Sequence, residues 1–179
     1  MLGNCRSIQR NYLWMPKFTA LIYARTGDSA YLDRALESVK LASDPLIINA
    51  DCDPEIKKIA SRHHARHKHG IAGVTPGAYL MDAFHHWILV LRPFEALSND
   101  LIRSLDQWKR RKKDESRGYA FARLLQNGTR WKAEDPELRL VNRRLINWIG
   151  ELPDNQSAPI LPGPLLQYET EEYEQRIAS

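Results

Sequence analysis

The sequence predicts an α/β fold, with a mainly parallel, Rossmann-like sheet flanked by helices and mixed or antiparallel strands in the last third. Short apolar runs alternate with segments of helical periodicity, which indicates strands buried between helices. The first strand, helix and second strand fit within about thirty residues, the length of a βαβ unit, and such a unit requires parallel pairing. The 179 residues, 43% of them hydrophobic, suffice for one core.

The first βαβ unit is the strongest fold signal. Leu32, Leu36 and Val39 recur at helical spacing, and Asp28 or Ser29 can cap the helix that they define. Asp44-Pro45 ends that helix. The predicted elements of the unit are a strand at 18–23, a helix at 29–41 and a strand at 46–48.

The later elements follow from the same signals. Pro54 suits the first turn of a helix, and the alternation of apolar and polar residues after residue 115 suggests antiparallel strands. The predicted elements are a helix from 54 into the histidine run 63–69, a short helix at 78–85, a strand from 87, a helix at 98–111 and strands at 119–124 and 137–141. We expect an extension at 1–16, a domain at 17–154 and a Pro- and Glu-rich tail at 155–179.

Composition limits the possible functions. The chain has 26 Lys and Arg and 22 Asp and Glu. The basic run Lys109–Lys113 is interpreted as the end of a helix, and a polyanion-binding patch is the alternative. This balance does not call for nucleic acid as a partner. Two separated cysteines indicate no disulfide framework, and no apolar run reaches the ~20 residues that span a bilayer. We therefore expect a cytoplasmic protein, with at most peripheral contact with the inner face of the membrane.

Three segments, in this order, resemble a family 2 glycosyltransferase with the GT-A fold. They are LDRALESVKLASDPLIINADCDPEIKKIASRHHAR, HHWILVLRPFEALSNDLIRSL and DPELRLVNRRLINWIGELP, and the resemblance covers about residues 18–154. It implies a nucleotide-diphosphate sugar held over the carboxyl ends of the parallel strands, a divalent ion on the diphosphate, and a carboxylate that deprotonates the acceptor.

Several implied site positions carry altered residues. The turn after the first strand keeps an acidic residue, and the end of the second strand has an amide where the family has an aspartate. Pro76 and Gly77 stand where the family has a basic residue and an asparagine. The predicted nucleotide- or phosphate-binding residues are Arg25, Asp28, Asn49, Asp51 and Arg92.

The end of the central strand differs most from the family. Arg92-Pro93-Phe94-Glu95 replaces an Asp-x-Asp-Glu motif. Because hard divalent ions need oxygen ligands, we predict that no metal is bound there and that no cofactor is required. The later His-Glu pair of the family falls at Pro153-Asp154, so the implied catalytic carboxylates are Glu95 and Asp154.

Two functions then compete. In the first, Arg92 supplies the charge of the missing metal, and sugar is transferred from a UDP-, GDP- or dTDP-sugar to a glycan or lipid acceptor. In the second, turnover has been lost, and the chain is a pseudo-glycosyltransferase that acts as a binding or scaffold module.

Other patterns are weaker. His63 and His67 stand one helical turn apart, a spacing that can ligate zinc, but an exposed helix end is the alternative. Trp131 and Trp148 lie in the less regular last third and are predicted to stack on an acceptor sugar. Nucleophile-elbow, phosphate-loop and dinucleotide motifs are missing, which disfavours hydrolases, NTPases and dehydrogenases.

Overall fold

A computed structural model describes residues 17–42, 44–71, 73–110, 116–154 and 157–169. It confirms the predicted α/β class. The strands are β1 (Phe18–Ala24), β2 (Asp44–Asn49), β3 (Arg66–His69), β4 (Trp87–Leu91), β5 (Glu95–Leu97), β6 (Gly118–Asn127), β7 (Arg130–Asn142) and β8 (Ile160–Gln167). The helices are α1 (Ser29–Ser38), α2 (Pro54–Arg62) and α3 (Asn99–Lys109), with a 3₁₀ helix at Pro76–Asp82.

One sheet holds these strands in the order β3-β2-β1-β4-β7-β6-β8-β5. In the first half, β1 pairs in parallel with β2 and β4, and β2 pairs in parallel with β3. Strand β7 then runs antiparallel to both β4 and β6. The carboxyl ends of β1, β2 and β4 therefore meet at one edge of the sheet, where ligand sites of α/β proteins commonly form.

Apolar clusters cover both faces of the sheet, which explains why β1 and β4 are almost wholly apolar. On one face α1 and α3 pack through Leu32, Leu36, Leu101 and Trp108, all of them buried. On the other face the 3₁₀ helix and the chain after β7 contribute the buried residues Tyr79, Leu80, Ile146 and Trp148.

Two predicted helix boundaries are reproduced by their capping contacts. Asp53 accepts a hydrogen bond from the backbone N of Glu55 at 2.8 Å, with Pro54 in the first turn of α2. The hydroxyl of Ser98 accepts one from the backbone N of Leu101 at 3.2 Å at the start of α3. Side-chain acceptors of this kind satisfy N–H groups that the first helical turn leaves unpaired.

Three strands were not predicted. Residues 66–69 of the histidine run form edge strand β3 and not the end of a helix. Strand β5 follows β4 after a short turn and pairs with β8. Strand β8 lies inside the segment expected to form a tail, and it pairs with both β6 and β5, so residues 160–167 belong to the sheet.

The predicted extension at 1–16 lies outside the described residues. Among the residues that are described, no helix is long and apolar enough to cross a bilayer.

Candidate functional site

A cleft of about 280 Å³ opens at the carboxyl ends of β1 and β4. Its walls come from the ends of these strands, the start of the 3₁₀ helix and the chain after β7. The lining residues are Tyr23, Arg25, Asp28, Pro76, Val90, Leu91, Arg92, Pro93, Phe94, Glu151 and Leu152. Three of the predicted site residues, Arg25, Asp28 and Arg92, therefore share one cavity.

The loop between β1 and α1 forms one wall of the cleft. The Asp28 carboxylate accepts a hydrogen bond from the backbone N of Arg25 at 2.7 Å, which closes a tight turn before α1. The Asp51 carboxylate accepts another from the backbone N of Thr26 at 2.8 Å, so Asp51 supports this loop from the end of β2. Asp51 is predicted to bind nucleotide, but it does not line the cleft.

Tyr23 and Arg25 both line the cleft on this side. The Tyr23 hydroxyl donates to the backbone O of Val74 at 2.8 Å, and the Arg25 guanidinium lies 5.6 Å from the Tyr23 ring centroid. Burial raises the pKa of the Tyr23 hydroxyl, although Arg25 acts in the opposite direction. An aromatic ring beside an exposed guanidinium gives the cleft a flat apolar surface with a cation at its edge.

Arg92 enters the opposite wall from the end of β4, and its side chain is 21% exposed. Its Nη1 atom lies 3.4 Å from Oε1 of Glu95 and 3.9 Å from Oε2 of Glu137. Glu137 also forms an ion pair with Arg123 at 3.0 Å and accepts a hydrogen bond from Arg139 at 2.7 Å. Arg92 therefore belongs to a charge network of three arginines and two glutamates that extends from the cleft into the sheet.

Glu95 lies at the centre of this network, with its side chain fully buried. Arg139, also fully buried, donates to both carboxylate oxygens, at 2.8 Å and 2.6 Å. The backbone N of Arg92 donates a third hydrogen bond at 2.8 Å. A carboxylate that is buried and bonded in this way is a structural anchor, so its predicted role as catalytic base is not favoured by its position.

Arg139 was missed by the sequence analysis. The pattern Glu137-Leu138-Arg139-Leu140 predicts a strand with a polar face, on which Arg139 would meet solvent. The structure buries both faces of β7 at this point because an apolar cluster covers each face of the sheet, one containing Leu140 and the other Leu138 and Val141. The signal that could have revealed the pair is Glu95, an acidic residue four positions after the last residue of the buried strand β4.

Asn49 reaches the same edge of the sheet as Arg92, as predicted, but its amide is engaged elsewhere. Its Oδ1 accepts from the backbone N of Asp53 at 2.9 Å, and its Nδ2 donates to the backbone O of Asp53 at 2.7 Å. The residue is fully buried and does not line the cleft. Asn49 therefore fixes the loop before α2, and its predicted contact with a nucleotide would require that loop to open.

The predicted sugar-stacking tryptophans occupy different environments. Trp148 is only 3% exposed, and it packs so closely that a Cβ on Gly77 would lie 2.6 Å from its backbone O. It is a core residue below the cleft and cannot stack on an acceptor in this conformation. Trp131 is 42% exposed on β7 and contacts Tyr168 edge to face, with ring centroids 5.5 Å apart.

Two acidic residues lie on the chain after β7. Glu151 is exposed and lines the cleft, with Oε1 at 4.0 Å from Nη2 of Arg25. The backbone of this segment is tied to the 3₁₀ helix, because the N of Gly77 donates to the O of Gly150 at 3.0 Å. Asp154, a predicted catalytic carboxylate, is exposed and does not line the cleft.

The residues of the cleft do not fit a divalent ion. Arg92 and Phe94 occupy the end of β4, and Glu95 is bound by Arg139. Within the described ranges, no three His, Cys, Asp or Glu side chains are grouped so that they could hold a metal ion. His63 and His67, the alternative zinc pair, bind different partners: His63 contacts Asp33 at 2.8 Å, and His67 contacts Asn49 at 3.2 Å.

Comparison with known proteins supports the fold. No protein family model matches the chain, and no curated protein matches it in sequence. A solved structure of 4-diphosphocytidyl-2C-methyl-D-erythritol synthase is similar, with 16% identity and a TM-score of 0.50, over 73% of this chain and 77% of that one.

Two further solved structures are similar at lower scores. The same synthase from Anaerococcus prevotii DSM 20548 has 12% identity and a TM-score of 0.47, over 73% of this chain and 71% of that one. CMP:2-keto-3-deoxy-manno-octonic acid synthetase, complexed with CTP, has 11% identity and a TM-score of 0.43, over 72% and 75%. The similarity to the first of these structures shows a shared fold, and membership of glycosyltransferase family 2 stays a prediction.

Proposed function

We propose that the cleft binds the diphosphate of a nucleotide-diphosphate sugar without a divalent ion, with the Arg92 guanidinium in place of the metal. The observation that carries the proposal is the position of Arg92, which lines the cleft at the end of β4. A guanidinium can donate two parallel hydrogen bonds to phosphate oxygens, so it supplies both charge and orientation.

The charge network supports this role. Glu95 is held by Arg139, and Glu137 is shared among Arg92, Arg123 and Arg139. Of the five residues, Arg92 is the one that lines the cleft. Arg92 and Arg25 bring two guanidinium groups to the cleft beside the carboxylates of Asp28 and Glu151, and a phosphate would pair with the guanidinium groups.

Glycosyl transfer to a glycan or lipid acceptor is the activity that we propose for the bound donor. The catalytic base must be a carboxylate that reaches the acceptor. Glu151 meets this requirement better than Glu95 or Asp154, because Glu151 is exposed and lines the cleft. Asp154 is three residues farther along the same segment and is exposed as well. The variants Glu151→Gln and Asp154→Asn test the two carboxylates separately, because loss of the base should abolish glycosyl transfer.

A non-catalytic binding module is the second candidate. The burial of Glu95 favours it, because the one carboxylate kept from the family motif is neutralised by Arg139. This candidate is a binding or scaffold module, which has no turnover and need not bind a nucleotide. Release of nucleoside diphosphate from a donor sugar during incubation with the protein distinguishes the two candidates.

A thermal-shift assay with UDP, GDP, dTDP and CDP, each in Mn²⁺ or in EDTA, tests the binding proposal. CDP is included because the similar synthase is named for a diphosphocytidyl compound. A ligand that binds the folded state raises the melting temperature by mass action. We expect at least one nucleotide to stabilise the protein equally in Mn²⁺ and EDTA, and Arg92→Met to abolish the shift.

Arg103→Met is the matched control, because Arg103 is an exposed arginine on α3, away from the cleft. It should leave the shift unchanged. Stabilisation that requires Mn²⁺, or that survives in Arg92→Met, would contradict the proposed site.

A further inference from the structure

Large apolar side chains are exposed on the segments that lie beside the amino ends of β1 and β4, namely the end of the 3₁₀ helix, the chain before β4 and the chain after β7. Met81 is 84% exposed, Phe84 68% and Leu145 50%. We call these three residues, with Lys17 and Arg144, the amino-end face. It lies at the opposite end of the parallel strands from the cleft, because Lys17 directly precedes β1 and Phe84 lies before β4.

Contacts place the members of this face next to one another. Lys17, Phe84, His86 and Arg144 line one open depression of about 330 Å³. The backbone N of Arg143 donates to the O of His86 at 2.8 Å, and its guanidinium donates to the O of Leu80 at 2.6 Å. The segments that carry Met81, Phe84 and Leu145 are thus bonded to each other.

Basic side chains surround the exposed apolar residues. Lys17 and Arg144 line the depression with Phe84, while Arg143 donates to the backbone O of Leu80 and Lys68 to the carboxylate of Asp82, the two residues that flank Met81. The guanidinium of Arg66 lies 3.7 Å from the centroid of the Phe84 ring. Two acidic residues accompany them: Asp44 is bound by Arg66, and Asp82 is bound by Lys68 at 2.6 Å.

Helix α3 brings more positive charge to the same end. Its last residue, Lys109, lies with its Nζ 4.7 Å from the centroid of the Phe18 ring, beside the start of β1. Lys109 is the first residue of the basic run 109–113, and residues 111–113 of that run lie outside the described residues.

We propose that the amino-end face docks on the surface of a bilayer that contains anionic lipids. Apolar side chains surrounded by lysine and arginine are the arrangement by which peripheral proteins insert a few side chains and hold anionic head groups. A nucleic acid would use the basic residues but leaves Met81 and Leu145 unexplained, since phosphate contacts dominate its binding. Docking in this way would leave the cleft at the far end of the strands, open to solvent.

Sedimentation with lipid vesicles tests this inference independently of the nucleotide proposal. One set of vesicles contains phosphatidylcholine alone, and the other contains about a third phosphatidylglycerol. We expect the full chain to sediment with the anionic vesicles only, and to be released by salt because surface charges are screened. The double variants Met81→Ser/Phe84→Ser and Lys17→Gln/Arg144→Gln should each weaken binding about tenfold.

Matched controls come from the rest of the molecule. Ile71→Ser removes an apolar side chain that is 65% exposed but lies after β3, at the cleft end, and Arg103→Gln removes an exposed charge on α3. Both should bind vesicles as the unaltered chain does. Binding that is lost in Ile71→Ser, kept in both double variants, or equal on phosphatidylcholine would overturn the proposal, as would tighter binding to RNA than to the vesicles.

Discussion

Glu95 and Arg139 illustrate how one residue pair can decide the character of the site. Both side chains are fully buried, and two hydrogen bonds join them. The Nε of Arg139 has no hydrogen-bond partner among the described residues, so the pair already carries an uncompensated polar atom. Each buried charge of the pair depends on the other, because a charge without a partner in the protein interior is costly.

Replacing one partner should therefore destabilise the protein strongly. We expect Glu95→Gln and Arg139→Met each to lower the free energy of unfolding by about 3–5 kcal/mol. The double variant should lose less than the sum of the two single changes, because it leaves no unpaired charge. Denaturation by urea measures these differences, and an additive double variant would show that the two side chains are not coupled.

The same residues show why part of the site was predictable and part was not. Arg92 could be placed from the sequence because it directly follows a run of buried apolar residues, and a chain that leaves a parallel strand reaches the ligand edge. Arg139 could not, because its burial depends on the apolar layers that cover both faces of the sheet and on Glu95, which lies 44 positions earlier in the chain. Trp148 was predicted to be accessible to a sugar, but it is buried, for a similar reason: it packs against Gly77, which is 71 positions earlier in the chain.

Among the helices and strands, local periodicity predicted those elements whose formation depends on residues within the same segment. The first βαβ unit and α2 were found because their apolar spacing and caps lie within each segment. Strands β3, β5 and β8 were missed because their own residues are polar, few or interrupted by proline. In β8, Pro162 and Pro164 argue against a strand, yet pairing with β6 and β5 holds it in the sheet.

Asp44, at the start of β2, provides a second test of stability. The buried carboxylate of Asp44 accepts from Arg66 at 2.5 Å and 2.8 Å, from the Thr19 hydroxyl at 2.7 Å and from the backbone N of Phe84 at 3.2 Å. Burial alone would raise the pKa of Asp44, but the hydrogen bonds from Arg66, Thr19 and Phe84 outweigh it and hold the pKa below its ordinary value. The ionised form is therefore the one that stabilises the fold.

A lowered pKa in the folded state gives a stability that is present at neutral pH and lost in acid. We expect the free energy of unfolding to fall as the pH drops below about 4, the unfolded value for aspartate. Asp44→Asn should be about 2–3 kcal/mol less stable at pH 7 and should flatten this acid dependence. Urea denaturation between neutral and acid pH measures both effects.

Asp106→Asn serves as the control for Asp44→Asn. Asp106 makes an exposed pair with Arg110 on α3, and exposed pairs contribute little to stability. An Asp44→Asn protein as stable at pH 7 as this control would contradict the assigned role of Asp44.

For the whole molecule, the structure separates two ends of one sheet. The carboxyl ends of β1 and β4 form a cleft with two arginines, and the amino ends form a basic face with exposed apolar residues. The fold class followed from the sequence, because alternation of strand and helix dictates it. The chemistry of the cleft did not follow as fully, since it depends on which charges the antiparallel half of the sheet brings against β4.

The central claim is that Arg92 binds phosphate in the cleft without a metal. Isothermal titration calorimetry in EDTA, comparing a nucleoside diphosphate that stabilises the protein with the same nucleoside, tests it most directly. We predict that the diphosphate binds at least about tenfold more tightly than the nucleoside, and that Arg92→Met removes this difference while leaving nucleoside binding unchanged. Equal affinities for the two ligands in EDTA, with a preference for the diphosphate only after Mn²⁺ is added, would contradict the account.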